Sequence, residues 1–337
     1  MPETDNFSSW LRPEAEGLFC LPGNFYIDPI MPVERAIVTH AHSDHATWGL
    51  DTVLATRETL DIMKIRLGEG APSRPQPLNL RESLKIGDVD VSLWPAGHIL
   101  GSAQVLISYL GQRVVISGDY KRSMDPTCVP FEVVDCDLFI SEATFGLPIF
   151  HFGDAGQEIR KLLTSLQMFP GRTHQVGVYS LGKCQRLISL LRAENYDRPI
   201  WLHGALLATC NYYKQQGYDL GELKLVSEAP SKLAGEIVLG PPSALASIWA
   251  RRFEDPVNCL ASGWMQVRGR ARQRNVELPL VISDHSDWPQ LLQTIEQTGA
   301  SELWVTHGRE EALVYEATRR GVRAKALSLV GREEEAE

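Results

Sequence analysis

Apolar positions along the chain fall into two rhythms. Short β-branched runs end in a polar residue just as a loop begins, and longer segments carry apolar residues every three or four positions. "RAIVTH", "RVVISGD", "DLFISEA" and "ELWVTHG" are of the first kind, and "VDVSLWPAGH" alternates before it reaches His98. Each predicts a strand that presents a polar side chain rigidly at its end. The second rhythm predicts helices. In "GDAGQEIRKLLTSLQMF", Asp154 is a candidate N-cap, Gln157 sits at the capping-box offset, and Ile159, Leu162, Leu163 and Leu166 share one face. "CQRLISLLRAENY" repeats the pattern, and "DWPQLLQTIEQTG" ends on Gly299, a natural C-cap. Strands alternating with helices predict an α/β fold. The mildest break falls near residues 145–156, in "FGLPIFHFGDAG", and the strand-then-ligand design returns at "PLVISDH". The chain then divides into a first domain over 1–150 and 278–337 and an insert over 151–277.

Composition narrows the class. The 337 residues are 44% apolar and 22% charged, the balance of a globular chain of two or three domain-sized units. No apolar run approaches about 18 residues, so no membrane span is expected. The start, "MPETDNFSSW", lacks the basic and apolar regions of a signal peptide. Six scattered cysteines without a CxxC pair read as reduced thiols of a cytoplasmic protein. A net charge of −9 argues against coating nucleic acid through the overall field, though a local basic track stays possible. The tail "GREEEAE" reads as a solvated end.

The chemistry concentrates in "HAHSDH", residues 40–45, which holds three of the nine histidines. In extended chain His40 and His42 point the same way and can bind one cation through neutral imidazoles. Asp44 and His45 follow a turn and can face a second. Imidazoles with a few carboxylates suit zinc, and manganese or iron less tightly. Further donors are expected at other strand ends: His98 in "GHILGS", Asp119 in "SGDY", whose carboxylate could bridge two ions, and His307 in "VTHG".

With these residues in this order, the chain resembles the metallo-β-lactamase superfamily through its HxHxDH signature and its later GH, SGD and THG elements. The resemblance covers roughly residues 17–150 and 278–325. It implies a four-layer αββα sandwich, with His40, His42 and His98 on one metal, Asp44, His45 and His307 on the other, and Asp119 between them. Asp28 in "FYIDP" matches the family's early aspartate that supports the metal loop. "SEATFG" with Glu142, "SDHSD" with His285 and "VTHG" with His307 look like motifs A, B and C of the β-CASP nucleases, whose extra α/β domain is inserted where the chain is interrupted here. The stretch from Ala261 to Leu292 looks closer still to bacterial ligase-associated DNA exonucleases, which implies repair and association with a DNA ligase and a helicase. His307 is the form of motif C seen in RNA-cutting members, so RNA stays an alternative substrate to DNA. A small-molecule ester or thioester hydrolase is a further alternative.

Two cations about 3.5–4 Å apart suit phosphodiester hydrolysis by an activated hydroxide. Asp44, His285 and Glu142 are the candidate catalytic residues; His285 would donate a proton to the leaving oxygen, and Glu142 would orient it. For substrate grip, Arg268, Arg270, Arg272 and Arg274 would align on one face of an extended chain and follow phosphates. Ser262 and Gly263 would approach a terminal phosphate, and Trp264 would stack on a base or pack in the core. "GVYSLGKC" has Cys where a P-loop needs Ser or Thr; it reads as a helix start whose Lys183 faces nucleic acid. His151, His174 and His203 read as structural or surface residues.

Overall fold

A computed structural model describes residues 7–229 and 232–327, so the acidic tail and the first six residues lie outside it. The chain forms two compact units. One takes the residues up to Ile149 and from His285 onward, and the other is Phe150–Asp284.

The first unit contains two sheets. In the six-stranded sheet the strands follow chain order from Leu11–Pro13 to Arg74–Pro77. The seven-stranded sheet runs from Ser83–Ile86 through Val89–Pro95, Ala103–Tyr109, Gln112–Ile116, Leu138–Ala143 and Glu302–Gly308 to Arg323–Ala326. Strict alternation gives the second sheet two apolar faces. Val105, Ile107, Val114, Ile116, Leu138, Ile140 and Trp304 pack against Leu18, Phe25, Ile37 and Leu54 of the first sheet. The intervening Leu106, Val115, Phe139, Leu303 and Val305 pack against Leu291, Ile295, Leu313 and Ala317 of helices Trp288–Thr298 and Glu310–Arg319. Helix Arg57–Leu67 lies beside the strands of the first sheet. These layers agree with an αββα sandwich.

The second unit holds a six-stranded sheet whose neighbouring strands all pair parallel, in the order Leu223–Leu225, Ile200–Leu202, Ile237–Gly240, His174–Gly177, Val257–Ala261 and Leu278–Leu280. The expected return to the first domain at residue 278 needs correction. Leu278–Leu280 extends the second unit's sheet, and the first unit resumes at His285. A strand followed by a ligand is a local pattern and does not reveal which sheet the strand joins.

Helices begin where the pattern places them. Asp154 caps Ala155–Met168, accepting from the Gly156 amide at 3.0 Å, and Asp287 caps Trp288–Thr298, which Gly299 ends in the left-handed region. His174 bonds the Ser165 hydroxyl at 2.8 Å, and His203 caps helix Gly204–Gln215, so both serve the fold. All six cysteines are buried free thiols. Among the described residues no helix is long and apolar enough to cross a membrane.

Candidate metal centre and catalytic pair

Strands Val89–Pro95, Gln112–Ile116, Leu138–Ala143 and Glu302–Gly308 all point in one direction, because two antiparallel steps and two parallel ones relate them. His98, Asp119, Glu142 and His307 therefore reach one edge of the sheet, at or just past each strand's C-terminal end. The histidine loop follows Arg35–Ile37 of the other sheet. Gly118 lets the two sheets' loops meet. Its φ is +54°, and a Cβ there would lie 2.7 Å from the Thr39 side chain.

The loop is not extended. The Ala46 amide donates to His42 O at 2.8 Å, closing a turn, and Arg66 of the neighbouring helix donates to Ala41 O. His40 and His42 still converge, by the turn rather than by strand alternation. Nδ1 of His42 lies 3.1 Å from Nε2 of His40 and 3.0 Å from Nε2 of His98. Asp119 Oδ2 stands 3.4 Å from His40 Nε2 and 3.7 Å from His98 Nε2. Its other oxygen, Oδ1, stands 3.4 Å from His45 Nε2, which Asp44 Oδ2 approaches at 3.3 Å. His307 stacks on His45, with ring centroids 5.0 Å apart and planes at 12°. The seven donors thus form two groups able to hold a cation: His40, His42, His98 and Asp119, and Asp44, His45 and His307.

Asp28 underlies the second group. Its carboxylate accepts from the Thr39 amide and hydroxyl, each at 2.7 Å, and pairs with His45 Nδ1 at 2.7 Å. This fixes the His45 proton on Nδ1 and turns Nε2 toward Asp44 and Asp119. That Nε2 is fully buried without a well-formed hydrogen bond. Three ring nitrogens crowded within about hydrogen-bonding distance cannot all satisfy one another by sharing protons. A shared cation resolves both features, so the donor set fits a divalent metal ion.

Burial acts on each group, and the neighbours decide the outcome. Burial, reinforced by the neighbouring histidines, holds His40 below and His98 well below the ordinary imidazole range, so both stay neutral as ligands must be. Burial also pushes His45 down, but the carboxylates of Asp119, Asp44 and Asp28 outweigh it and hold the metal-free imidazole well above its ordinary value. For Asp44 and Asp119 burial is outweighed by His45 above all, and both carboxyls stay far below the usual range.

Beside these groups, His285 Nδ1 lies 2.9 and 3.0 Å from the two Glu142 oxygens. Glu142 also accepts from the Tyr120 amide at 2.7 Å and from the Thr144 hydroxyl, so three partners fix it. The His285 ring centroid is 4.7 Å from that of His98. Thr39, Arg66, Tyr120 and Thr144 were not singled out from sequence. Their contributions are a backbone amide, a hydroxyl or a distant guanidinium, which no spacing rule marks.

The substrate-grip expectations fare differently. Residues Arg268–Gln273 form a short helix, and the four arginines do not share a face. Arg270 lies over the Trp264 ring at 3.7 Å, while Arg268, Arg272 and Arg274 are exposed. The extended arginine track is thereby corrected. Arginine, alanine and glutamine are good helix formers, and five of the six residues of this segment are of these kinds, with Gly269 the exception. Trp264 packs in the core, 5.1 Å from Phe150. Ser262 and Gly263 are buried, and the Ser262 hydroxyl accepts from the Trp264 amide at 3.2 Å. Lys183 starts helix Lys183–Ala193 but is only 1% exposed, and its ammonium stands 3.7 Å from Asp284. It faces the interior, not open solvent.

Residues 28–171 match the metallo-beta-lactamase superfamily model. A protein of Opitutus terrae named "Probable DNA ligase" is 28% identical over 93% of this chain, which spans 30% of that protein. Endoribonuclease YSH1 of Gibberella zeae is 30% identical over 59% of this chain and 29% of its own length. An RNase J-like protein of Methanocaldococcus jannaschii is 25% identical over 61% of this chain and 56% of its own. The chain therefore spans about a third of the first two relatives. A solved protein of unknown function from Enterococcus faecalis shares the fold, with a TM-score of 0.56 and 15% identity over 89% of this chain and 80% of its own. This chain carries a metallo-β-lactamase domain, and its named relatives are consistent with the β-CASP nuclease branch of that superfamily.

Proposed function

We propose that the chain is a metal-dependent DNA exonuclease that processes DNA ends in repair. The observation that carries the reading is the Glu142–His285 pair set beside seven converging metal donors. His40, His42 and His98 would hold one divalent cation, Asp44, His45 and His307 a second, with Asp119 shared. The imidazole-rich set favours zinc, with manganese accepted. Such a pair of cations, when bound, supplies Lewis acidity and a potent nucleophile from water. Asp28 keeps the His45 proton on Nδ1. Glu142 likewise engages Nδ1 of His285, leaving Nε2 as the nitrogen that can give a proton to the departing oxygen.

The DNA preference is supported by the relative named as a DNA ligase, which aligns with nearly the whole chain. The same likeness supports a DNA ligase as a functional associate, the resemblance to ligase-associated exonucleases adds a helicase, and six reduced thiols suit a cytoplasmic setting. A ribonuclease reading has its own support, in His307 and in the relatives named as an endoribonuclease and as an RNase J-like protein. The test is digestion of 5′-labelled DNA and RNA of one sequence, single- and double-stranded, with zinc, manganese and magnesium in turn. Stepwise loss of nucleotides from DNA is expected. Cutting of RNA alone transfers the assignment to the ribonuclease. Inertness toward both, with hydrolysis of a glutathione thioester, ends the nuclease reading.

A further inference from the structure

We infer that Trp48 is a stacking platform for a base of the bound nucleic-acid strand, an inference that rests on the nuclease reading above. Trp48 follows His45 by three residues and is 66% exposed. The other seven tryptophans are buried or half-buried, as so large an apolar side chain usually is. A single exposed indole is therefore the exception in this chain, and it stands on the metal loop itself.

The loop that carries it is held firmly. Arg66 donates to Ala41 O, the Ala46 amide to His42 O, and the Gly49 amide to Gly70 O at 3.1 Å. Gly70 lies directly against the Trp48 Cβ, where any larger side chain would crowd it. The stem of the indole is thus fixed while its ring is left to solvent. A rigid aromatic face loses little entropy when a flat partner covers it. Every nucleobase offers such a partner whatever its identity, on DNA and RNA alike. The adjoining helix Arg57–Leu67 ends in a basic turn with Lys64 exposed, which supplies countercharge for a phosphate backbone.

Leu110 provides the contrast. It is 84% exposed, but it sits in the hairpin turn between Ala103–Tyr109 and Gln112–Ile116, at the opposite end of the latter strand from Asp119. Its exposure serves as the control for an apolar side chain remote from the donors.

The experiment compares holoenzyme wild type, Trp48→Ala, Trp48→Phe and Leu110→Ala on single strands of DNA and RNA. Each strand is used with its bases and as an abasic strand of equal length. Trp48→Ala is expected to raise KM for base-bearing strands about tenfold while kcat stays within about twofold. Trp48→Phe recovers most of the loss, the effect disappears on abasic strands, and Leu110→Ala behaves as wild type. Three results overturn the inference: an unchanged KM in Trp48→Ala, an equal loss on abasic strands, or a loss of self-association with KM unchanged. If wild type cuts neither DNA nor RNA, the nuclease reading itself falls, and the stacking role falls with it.

Discussion

Each unit of the molecule buries a cluster of charge, and the two clusters reach neutrality differently. In the second unit Asp284 lies 3.7 Å from Lys183 and 3.3 Å from Arg186, which also donates to Ser283 O; all three side chains are buried. Acid and base there answer one another. In the first unit, carboxylates and imidazoles crowd together without a buried lysine or arginine among the seven donors. Histidine can shed its proton and lysine at neutral pH does not, so only the first cluster can exchange protons for a metal ion. A closed ion cluster holds a fold together, whereas the donor cluster of the first unit is able to hold a cation.

The largest effect expected from this contrast is on catalysis. Asp119→Asn removes the carboxylate whose two oxygens face both donor groups. Cleavage of labelled DNA should fall on the order of a thousandfold or more, the scale of losing a key charge-stabilising group. Metal content should fall too, while the circular dichroism of the metal-free protein stays close to wild type. Asp284→Ala should do the reverse. Breaking a buried ion pair costs about 3–5 kcal/mol of stability, read by urea unfolding, and added metal should not restore it. Equal destabilisation by both substitutions would erase the distinction.

A step smaller is Asp28→Asn, which leaves every donor in place but loosens the His45 tautomer. Metal affinity, measured by competition with a chelator, should weaken about 10–100-fold. The pH dependence follows from His45. Carboxylates keep its metal-free imidazole protonated above the ordinary range, so that Nε2 must lose its proton before it can ligate. Affinity should therefore rise with pH through that elevated pKa, and calorimetry in buffers of different ionisation enthalpy should show proton release on binding. Uptake independent of pH would remove His45 from the ligand set. The smallest effect belongs to Arg272→Ala, on the exposed short helix, where stability should change by less than about 0.5 kcal/mol.

What the sequence discloses tracks how local the physics is. HAHSDH could be read because its donors are adjacent in the chain and a turn of six residues is enough to gather them. His98, Asp119 and His307 could be read because parallel strands deliver their ends to one edge, so a repeated strand-then-polar pattern marks one place in space. The arginine run could not be read from alternation alone, since a spacing of two is meaningful only in extended chain. Lys183 escaped for another reason. Its burial depends on Asp284, a hundred residues further on, and nothing beside Lys183 announces that partner. The same holds for Leu278–Leu280, whose sheet membership is set by its neighbour Val257–Ala261 and not by its own residues.

The donors are contributed by strand ends scattered from residue 40 to residue 307, and the strand bearing the last of them inserts between Leu138–Ala143 and Arg323–Ala326. A ribosome releasing this chain from its N-terminus exposes most of the ligands long before that strand exists. The nascent polypeptide can therefore assemble its full complement of ligands only after the strand that ends in His307 has been made. A product that stops before that strand would lack one of the seven donors, and its second group would be left with Asp44 and His45 alone.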